Sequence, residues 1–178
     1  MQLRTDRLWL HPLRPQDIPE VHELHSYPET MKYNTLGIPE NLAVTEQVFA
    51  PYFDGLLQAE RMQYIWAIRT AKSSFVGTIS LSKGVARFRK AELAYSLVPA
   101  HWGKGYATEA LKRVIAFGFD TLGLHRLDAG VAVENVASFR VMEKAGMVRE
   151  GRHRKILPIP SGWSDNYSYA ILESDPRT

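Results

Sequence analysis

No cysteine occurs in the 178 residues. That excludes disulfides, thiol nucleophiles and thiolate metal sites, and it fits a reducing cytoplasm, the location expected for the chain. No apolar run is long enough to cross a bilayer, and the charged opening Met1-Gln2-Leu3-Arg4-Thr5-Asp6-Arg7 holds no signal-peptide core. No membrane role is expected. Repeats, linkers and low-complexity segments are also missing, as in one folded domain over residues 1–178. The charge excess is small, 22 Lys and Arg against 19 Asp and Glu, or +3. The two signs are interleaved, and the one dense basic run, Arg149 to Lys155, is broken by Glu150 and Gly151. Nucleic acid is therefore not the expected partner. His22 and His25 lie one helical turn apart with no third ligand nearby. They read as a solvated pair, and no metal site is expected.

Periodicity and punctuation divide the chain. A first strand is predicted over 3–13 and stopped by Pro12 and Pro15. A helix follows over 15–25, with Asp17 as cap and Ile18, Val21 and Leu24 on one face. A short helical piece over 28–33 and a helix over 41–62 come next. The second has Val44, Val48 and Leu56 as core candidates and a bend at Pro51 and Gly55. Strands are predicted over 64–69 and 75–81 as a hairpin, and over 91–98. Ala107, Ala110, Leu111, Val114, Ile115, Gly118 and Leu122 then mark an amphipathic helix that Gly123 ends. This helix is a crossover, so the next strand, 126–133, should lie parallel to 91–98. Asn135 caps a last helix that ends near Gly146. Strands over 147–157 and 167–172, with a turn over 158–165, close the chain. The fold class is α+β, or mixed α/β, with a parallel pair at its centre.

The stretch Leu97-Val98-Pro99-Ala100-His101-Trp102-Gly103-Lys104-Gly105-Tyr106-Ala107-Thr108-Glu109-Ala110 carries the functional signal. A strand stops at a proline, two glycines flank a lysine, and a helix begins at once. The first N–H groups of a helix have no intrahelical partner, and its dipole places partial positive charge there. Glycines let a phosphate approach the backbone, and Lys104 adds a cation. This is not a P-loop, because Gly105 follows Gly-Lys where Ser or Thr belongs and no glycine lies four residues earlier. It is a poor dinucleotide fingerprint, because Thr108 stands where the third glycine belongs. A glycine-rich loop that merely starts a helix remains open on these residues alone.

Leu97-Val98-Pro99 followed by Trp102-Gly103-Lys104-Gly105-Tyr106-Ala107 resembles the cofactor motif of the GNAT N-acetyltransferases, Arg/Gln-x-x-Gly-x-Gly/Ala. Trp102 stands at the Arg/Gln place, as it does in the ribosomal-protein alanine N-acetyltransferase branch. Thr5 to Leu13, Pro28 to Tyr33, Val76 to Leu81, Ala91 to Tyr95 and Trp163 to Leu172 resemble other segments of that branch. Asn135-Val136-Ala137-Ser138, followed by Glu143-Lys144-Ala145-Gly146-Met147, is similar to its second motif, with Met147 where Phe is usual. The resemblance implies a mostly antiparallel sheet with a splayed parallel pair, flanked by helices.

It also implies direct transfer of acetyl from acetyl-coenzyme A to an amine. Residues 103–108 (Gly103, Lys104, Gly105, Tyr106, Ala107, Thr108) would hold the pyrophosphate on their N–H groups. The pantetheine arm would pair with 96–98, including Leu97 and Val98, and the N–H of Val98 or a neighbour would polarise the thioester carbonyl. Glu92 is the candidate base, directly or through water, with a structural strand residue as the alternative. Ser138 is the candidate donor to the leaving sulfur, and Asn135 would bond the pantetheine amide or cap its helix. Arg140 and Lys144 are candidates for the adenosine phosphates or plain surface charges. Trp163, Asp165 and Tyr167 are candidates for the acceptor side. The implied acceptor is a protein or peptide N-terminal α-amine. The alternatives are a small amine (polyamine, amino acid or aminoglycoside) and a silent acyl-coenzyme A-binding module. A homodimer is among the states the resemblance implies.

Overall fold

The computed structural model describes residues 1–58 and 60–177. Ala59, inside the helix predicted over 41–62, and Thr178, the last residue of the predicted domain, lie outside the described residues. The elements are β1 (Leu3–Arg4), β2 (Leu8–Pro12), α1 (Ile18–Ser26), α2 (Pro28–Met31), α3 (Leu42–Gly55), β3 (Gln63–Thr70) and β4 (Phe75–Lys83). After them come β5 (Lys90–Leu97), α4 (Tyr106–Asp120), β6 (Arg126–Ala132), α5 (Val136–Lys144), β7 (Val148–Ile159) and β8 (Gly162–Leu172). The strands form one eight-stranded sheet in the order β1-β2-β3-β4-β5-β6-β8-β7. The fold is mixed α/β. Every pairing is antiparallel except β5 with β6, the parallel pair the crossover predicted.

Strand alternation sends side chains to two layers. On β3, Trp66 and Ile68 join the larger core with Leu8, Leu10, Ile79, Leu81, Leu93, Leu97 and the α4 residues Leu111, Val114, Ile115 and Phe117. Ile65 and Ala67 face the other way and pack with Leu13, Ile18, Val21 and Tyr52 under α1 and α3. Each such side chain contributes about 1.5–3 kcal/mol by leaving water. This burial fixes α4 across the sheet and sets where its N-terminus stands.

Several sequence expectations change. The first strand is two strands. Leu3 and Arg4 pair with Leu10 and Trp9, and a turn at Thr5 reverses the chain. The Leu8 N–H donates to the Thr5 hydroxyl at 3.0 Å, and the Thr5 N–H donates to the Leu8 carbonyl. Asp17 does not cap α1 with its side chain. It accepts the Arg14 N–H and is ion-paired with Arg69, because a buried carboxylate needs a cation more than a helix end needs a cap. Helix α3 stops at Gly55. Its buried face carries Thr45 and Tyr52, with Phe49 and Phe53 packed beside them, so the expected core residues Val48 and Leu56 are exposed. Strand β8 begins at Gly162, which leaves Pro160-Ser161 as a two-residue turn in place of the long turn over 158–165.

The histidine pair is not solvated. His25 is buried and stacks on Phe49 with ring centroids 6.0 Å apart, and His22 Nδ1 lies 2.8 Å from the Thr45 hydroxyl. Burial, and then the neighbouring His22, hold the His25 pKa below 6.5. The unfolded chain therefore takes up this proton first as pH falls. The stability that neutral His25 supports is complete above about pH 6.5 and is lost as pH falls through the folded-state value. The urea midpoint should drop between pH 8 and pH 5, and His25→Phe should shrink that drop. An unchanged pH dependence in the variant would contradict this account.

Candidate active site

Strand β5 pairs with β6 only over Lys90–Glu92, against Arg126–Asp128. Beyond Glu92 the two strands part, while β6 stays paired with β8 along its length. A cleft of about 680 Å³ opens at this splay, between the end of β5 and the N-termini of α4 and α5. Leu97, Trp102, Gly103, Gly105, Tyr106, Ala107, Thr108, Asn135 and Ser138, all predicted from the sequence, line it. Arg140 and Lys144 also reach its wall. Three predicted residues, Glu92, Val98 and Lys104, do not.

The loop into α4 has the conformation that its glycines allow. Gly103 and Gly105 have φ of 73° and 79°, in the left-handed region, and Gly105 is the N-cap of α4 without a side-chain cap. Among the described residues, no protein acceptor takes the N–H groups of Gly103 through Thr108. A run of unpaired donors at the positive end of a 15-residue helix, beside a cleft of this volume, fits a phosphorylated ligand. The Lys104 carbonyl is turned away from the cleft to Arg7 Nη1, 3.0 Å away.

The Val98 N–H is already spent. It donates to the Val76 carbonyl at 2.9 Å. Edge alternation then directs the N–H and C=O of Leu97 away from β4 and into the splay. The Leu97 carbonyl accepts the Trp102 indole N–H at 2.7 Å. The free donor of this strand end is the Leu97 N–H. Of the two expectations, Val98 or a neighbour, this removes Val98 and leaves its neighbour Leu97.

Asn135 caps α5, its side chain accepting the Ser138 N–H at 3.3 Å. Ser138 has a partner that sequence reasoning missed. The Tyr95 hydroxyl lies 2.9 Å from both the carbonyl and the hydroxyl of Ser138. A carbonyl only accepts. When Tyr95 donates to it, the Ser138 hydroxyl donates to Tyr95. When Tyr95 donates to the Ser138 hydroxyl, the serine proton is free for a third group. Burial, partly offset by the Ser138 bond, pushes the Tyr95 pKa up to about 12, so the phenol keeps its proton at neutral pH. The tyrosine shares a strand face with Leu93 and Leu97, and the sequence reading gave it no role. Only its hydroxyl signalled a role.

A second, smaller chamber of about 180 Å³ meets the cleft at Tyr95, Ser96, Asn135 and Ser138. Glu92, Ala94, Gly130 and Ala132 line it from β5 and β6, and Thr30, Tyr33 and Asn34 from the segment at the end of α2. Glu92 is exposed there. Its register neighbour Asp128 is held by Arg126 at 2.7 Å. Among the described residues, Trp163, Asp165 and Tyr167 line neither space. Asp165 accepts from Arg152 and from the Lys155 N–H, Tyr167 packs edge-on to Phe139, and Trp163 is exposed. No group of three or more His, Asp or Glu side chains with metal-ligand geometry occurs among the described residues, and no helix there is long and apolar enough to cross a membrane.

A family model described as an acetyltransferase (GNAT) domain matches residues 7–148. The chain is 34% identical over 174 residues to the uncharacterized N-acetyltransferase YoaA of Bacillus subtilis, with 96% of each chain covered. It is 27% identical over 170 residues to a spermidine N(1)-acetyltransferase of Vibrio cholerae, covering 96% of this chain and 95% of that one. A crystal structure of a GNAT-family acetyltransferase from Bacillus anthracis superposes with a TM-score of 0.84 at 31% identity, covering 98% of this chain and 100% of that one.

Gly77 sets the lip of the cleft. Its φ is 152°, and a Cβ there would lie 2.1 Å from the Ser96 carbonyl oxygen and 2.7 Å from the Leu97 Cα. Both are backbone atoms, so β4 and β5 would have to separate. Gly77→Ala should cost about 3 kcal/mol in chemical denaturation and weaken coenzyme A binding in calorimetry. Wild-type stability in this variant would contradict the geometry.

Proposed function

The chain belongs to the GNAT acetyltransferase family and is an acetyl-coenzyme A-dependent N-acetyltransferase, and from that premise we propose that its acceptor is the α-amine of a protein or peptide N-terminus. Acetyl-coenzyme A supplies an activated acetyl thioester. In this reading the N–H groups of residues 103–108 bind its pyrophosphate, and the Leu97 N–H polarises the carbonyl under attack. Arg140 and Lys144, on the same wall, face its outer phosphates. The amine enters through the small chamber, and Glu92 takes its proton directly or through a water. The Ser138 hydroxyl, with Tyr95 donating to it, turns its proton to the departing sulfur.

Only a neutral amine attacks. A peptide α-amine has a pKa near 8 and a lysine amine near 10.4, a difference of about 3 kcal/mol in deprotonation cost. A single exposed carboxylate is a modest base, and it suits the α-amine. The observation that carries the reading is the charge around the chamber. Glu92 is the carboxylate on its wall, and Asp128 beside it is neutralised by Arg126. A multiply charged polyamine would call for several free carboxylates. The spermidine-acetylating relative favours a second reading, a small polyamine, for which Glu29 and Glu134 along the cleft supply further negative charge.

A thiol-release assay against N-terminal peptides and small amines, spermidine included, separates the two. The proposal expects peptide α-amines to exceed spermidine by about tenfold or more in kcat/KM, and activity confined to small amines would overturn it. In the same assay Glu92→Gln should lower kcat about 100-fold at neutral pH and leave the calorimetric affinity for coenzyme A intact. Unchanged turnover would remove Glu92 from the mechanism.

A further inference from the structure

We propose that Arg7, almost a hundred residues away in sequence from the loop it touches, is the positioning residue that sets the cofactor cradle. The proposal rests on the reading that residues 103–108 take the pyrophosphate. The turn at Thr5 throws the Arg7 side chain off the sheet edge and against the start of α4. There it makes contacts of three kinds. Nη1 donates to the Lys104 carbonyl at 3.0 Å. Nε and Nη2 each approach Glu109 Oε2 at 2.6 Å, and the Arg7 backbone N–H donates to Glu109 Oε1 at 3.0 Å. The guanidinium also lies over the Tyr106 ring, 4.9 Å from its centroid. Thr5 completes the knot, its hydroxyl 2.5 Å from Glu109 Oε1.

Two consequences follow for the cradle. In a trans peptide the C=O and the following N–H point in opposite directions. Arg7 and Lys104 are not on the cleft wall, while Gly103 and Gly105 are. Holding the Lys104 carbonyl outward therefore aims the Gly105 N–H inward. The second consequence is electrostatic. Glu109 lies in the first turn of α4, where a free carboxylate would compete with a phosphate for the positive helix end. Burial raises its pKa, but the bonds from Thr5 and Arg7 outweigh that and hold it below the ordinary range, so Glu109 is ionised and its charge is already matched. Arg7 thus turns one donor in and cancels one competing anion, without touching the reacting atoms. Space at Gly105 is part of the device, since a Cβ there would lie 3.3 Å from Arg7 Nη2.

The test compares acetyl-coenzyme A with S-acetylpantetheine, which carries the same thioester without the pyrophosphate. Arg7→Ala should raise KM for acetyl-coenzyme A about tenfold, and leave kcat and the KM for S-acetylpantetheine within about twofold of wild type. Arg7→Lys keeps the charge but cannot hold a carboxylate and a carbonyl together, so it should lose most of the same affinity. Should Arg7→Ala not fold, Arg7→Lys decides by the same comparison. Equal losses with both thioesters would mean a merely structural role and would overturn the proposal. Full recovery in Arg7→Lys would also overturn it, because charge alone would then suffice. If wild type shows no preference for acetyl-coenzyme A over S-acetylpantetheine, the pyrophosphate reading itself fails, and the proposal with it.

Discussion

Lys90, Ala91 and Glu92 lie in register with Arg126, Leu127 and Asp128, and beyond them the two parallel strands part. A strand that leaves its neighbour exposes backbone donors and acceptors that cost free energy unless something takes them. On β5 the Trp102 indole takes the Leu97 carbonyl, and the Leu97 N–H is left facing the gap. The same parting leaves room for the N-terminal ends of α4 and α5 and for the small chamber on the other side of Tyr95. The start of α4, the Leu97 N–H, the Ser138 hydroxyl and Glu92 all stand at this one opening.

The opening is held from both sides. On the β4 side, Val98 is pinned to Val76, and Gly77 lets the two backbones come close. On the helix side, Asn135 and Tyr95 fix the first turn of α5, and Thr5, Arg7 and Glu109 fix the first turn of α4. The start of α4 uses none of the N–H groups of residues 103–108 for bonds within the described residues, whereas in α5 the Val136 N–H goes to the Glu134 carbonyl and the Ser138 N–H to Asn135. The donors left for an anion are those at the start of α4.

Much of this was legible in order along the chain. The crossover helix and its stripe predicted the parallel pair, and the glycines around Lys104 marked the turn into α4 that lines the cleft. What was not legible depends on contacts between distant residues or on hydrogen-bond direction. Thr5 and Arg7 read as strand because their turn is specified by a threonine hydroxyl and by Glu109, far along the chain. Tyr95 drew no role from the sequence because alternation reports a face and says nothing of a hydroxyl. Val98 was a reasonable donor until its partner, Val76, was known. Val48 and Leu56 were apolar at helical spacing, yet the sheet chose the neighbouring face with Thr45 and Tyr52. The small chamber was the least legible, because its lining includes small residues such as Ala94, Gly130 and Ala132 that carry no chemical signature.

The central claim is that the splay brings thioester and amine together, so that acetyl passes between them without resting on the protein. The absence of cysteine already removes the commonest acyl carrier. The direct measurement mixes stoichiometric protein with acetyl-coenzyme A, without and then with an acceptor peptide, and follows free thiol and intact protein mass. The account predicts no thiol burst and no acetylated protein until the peptide is added, then thiol and acetyl-peptide in equal amounts. A burst of thiol equal to the protein, with an acetyl group on the chain before any amine is present, would contradict it.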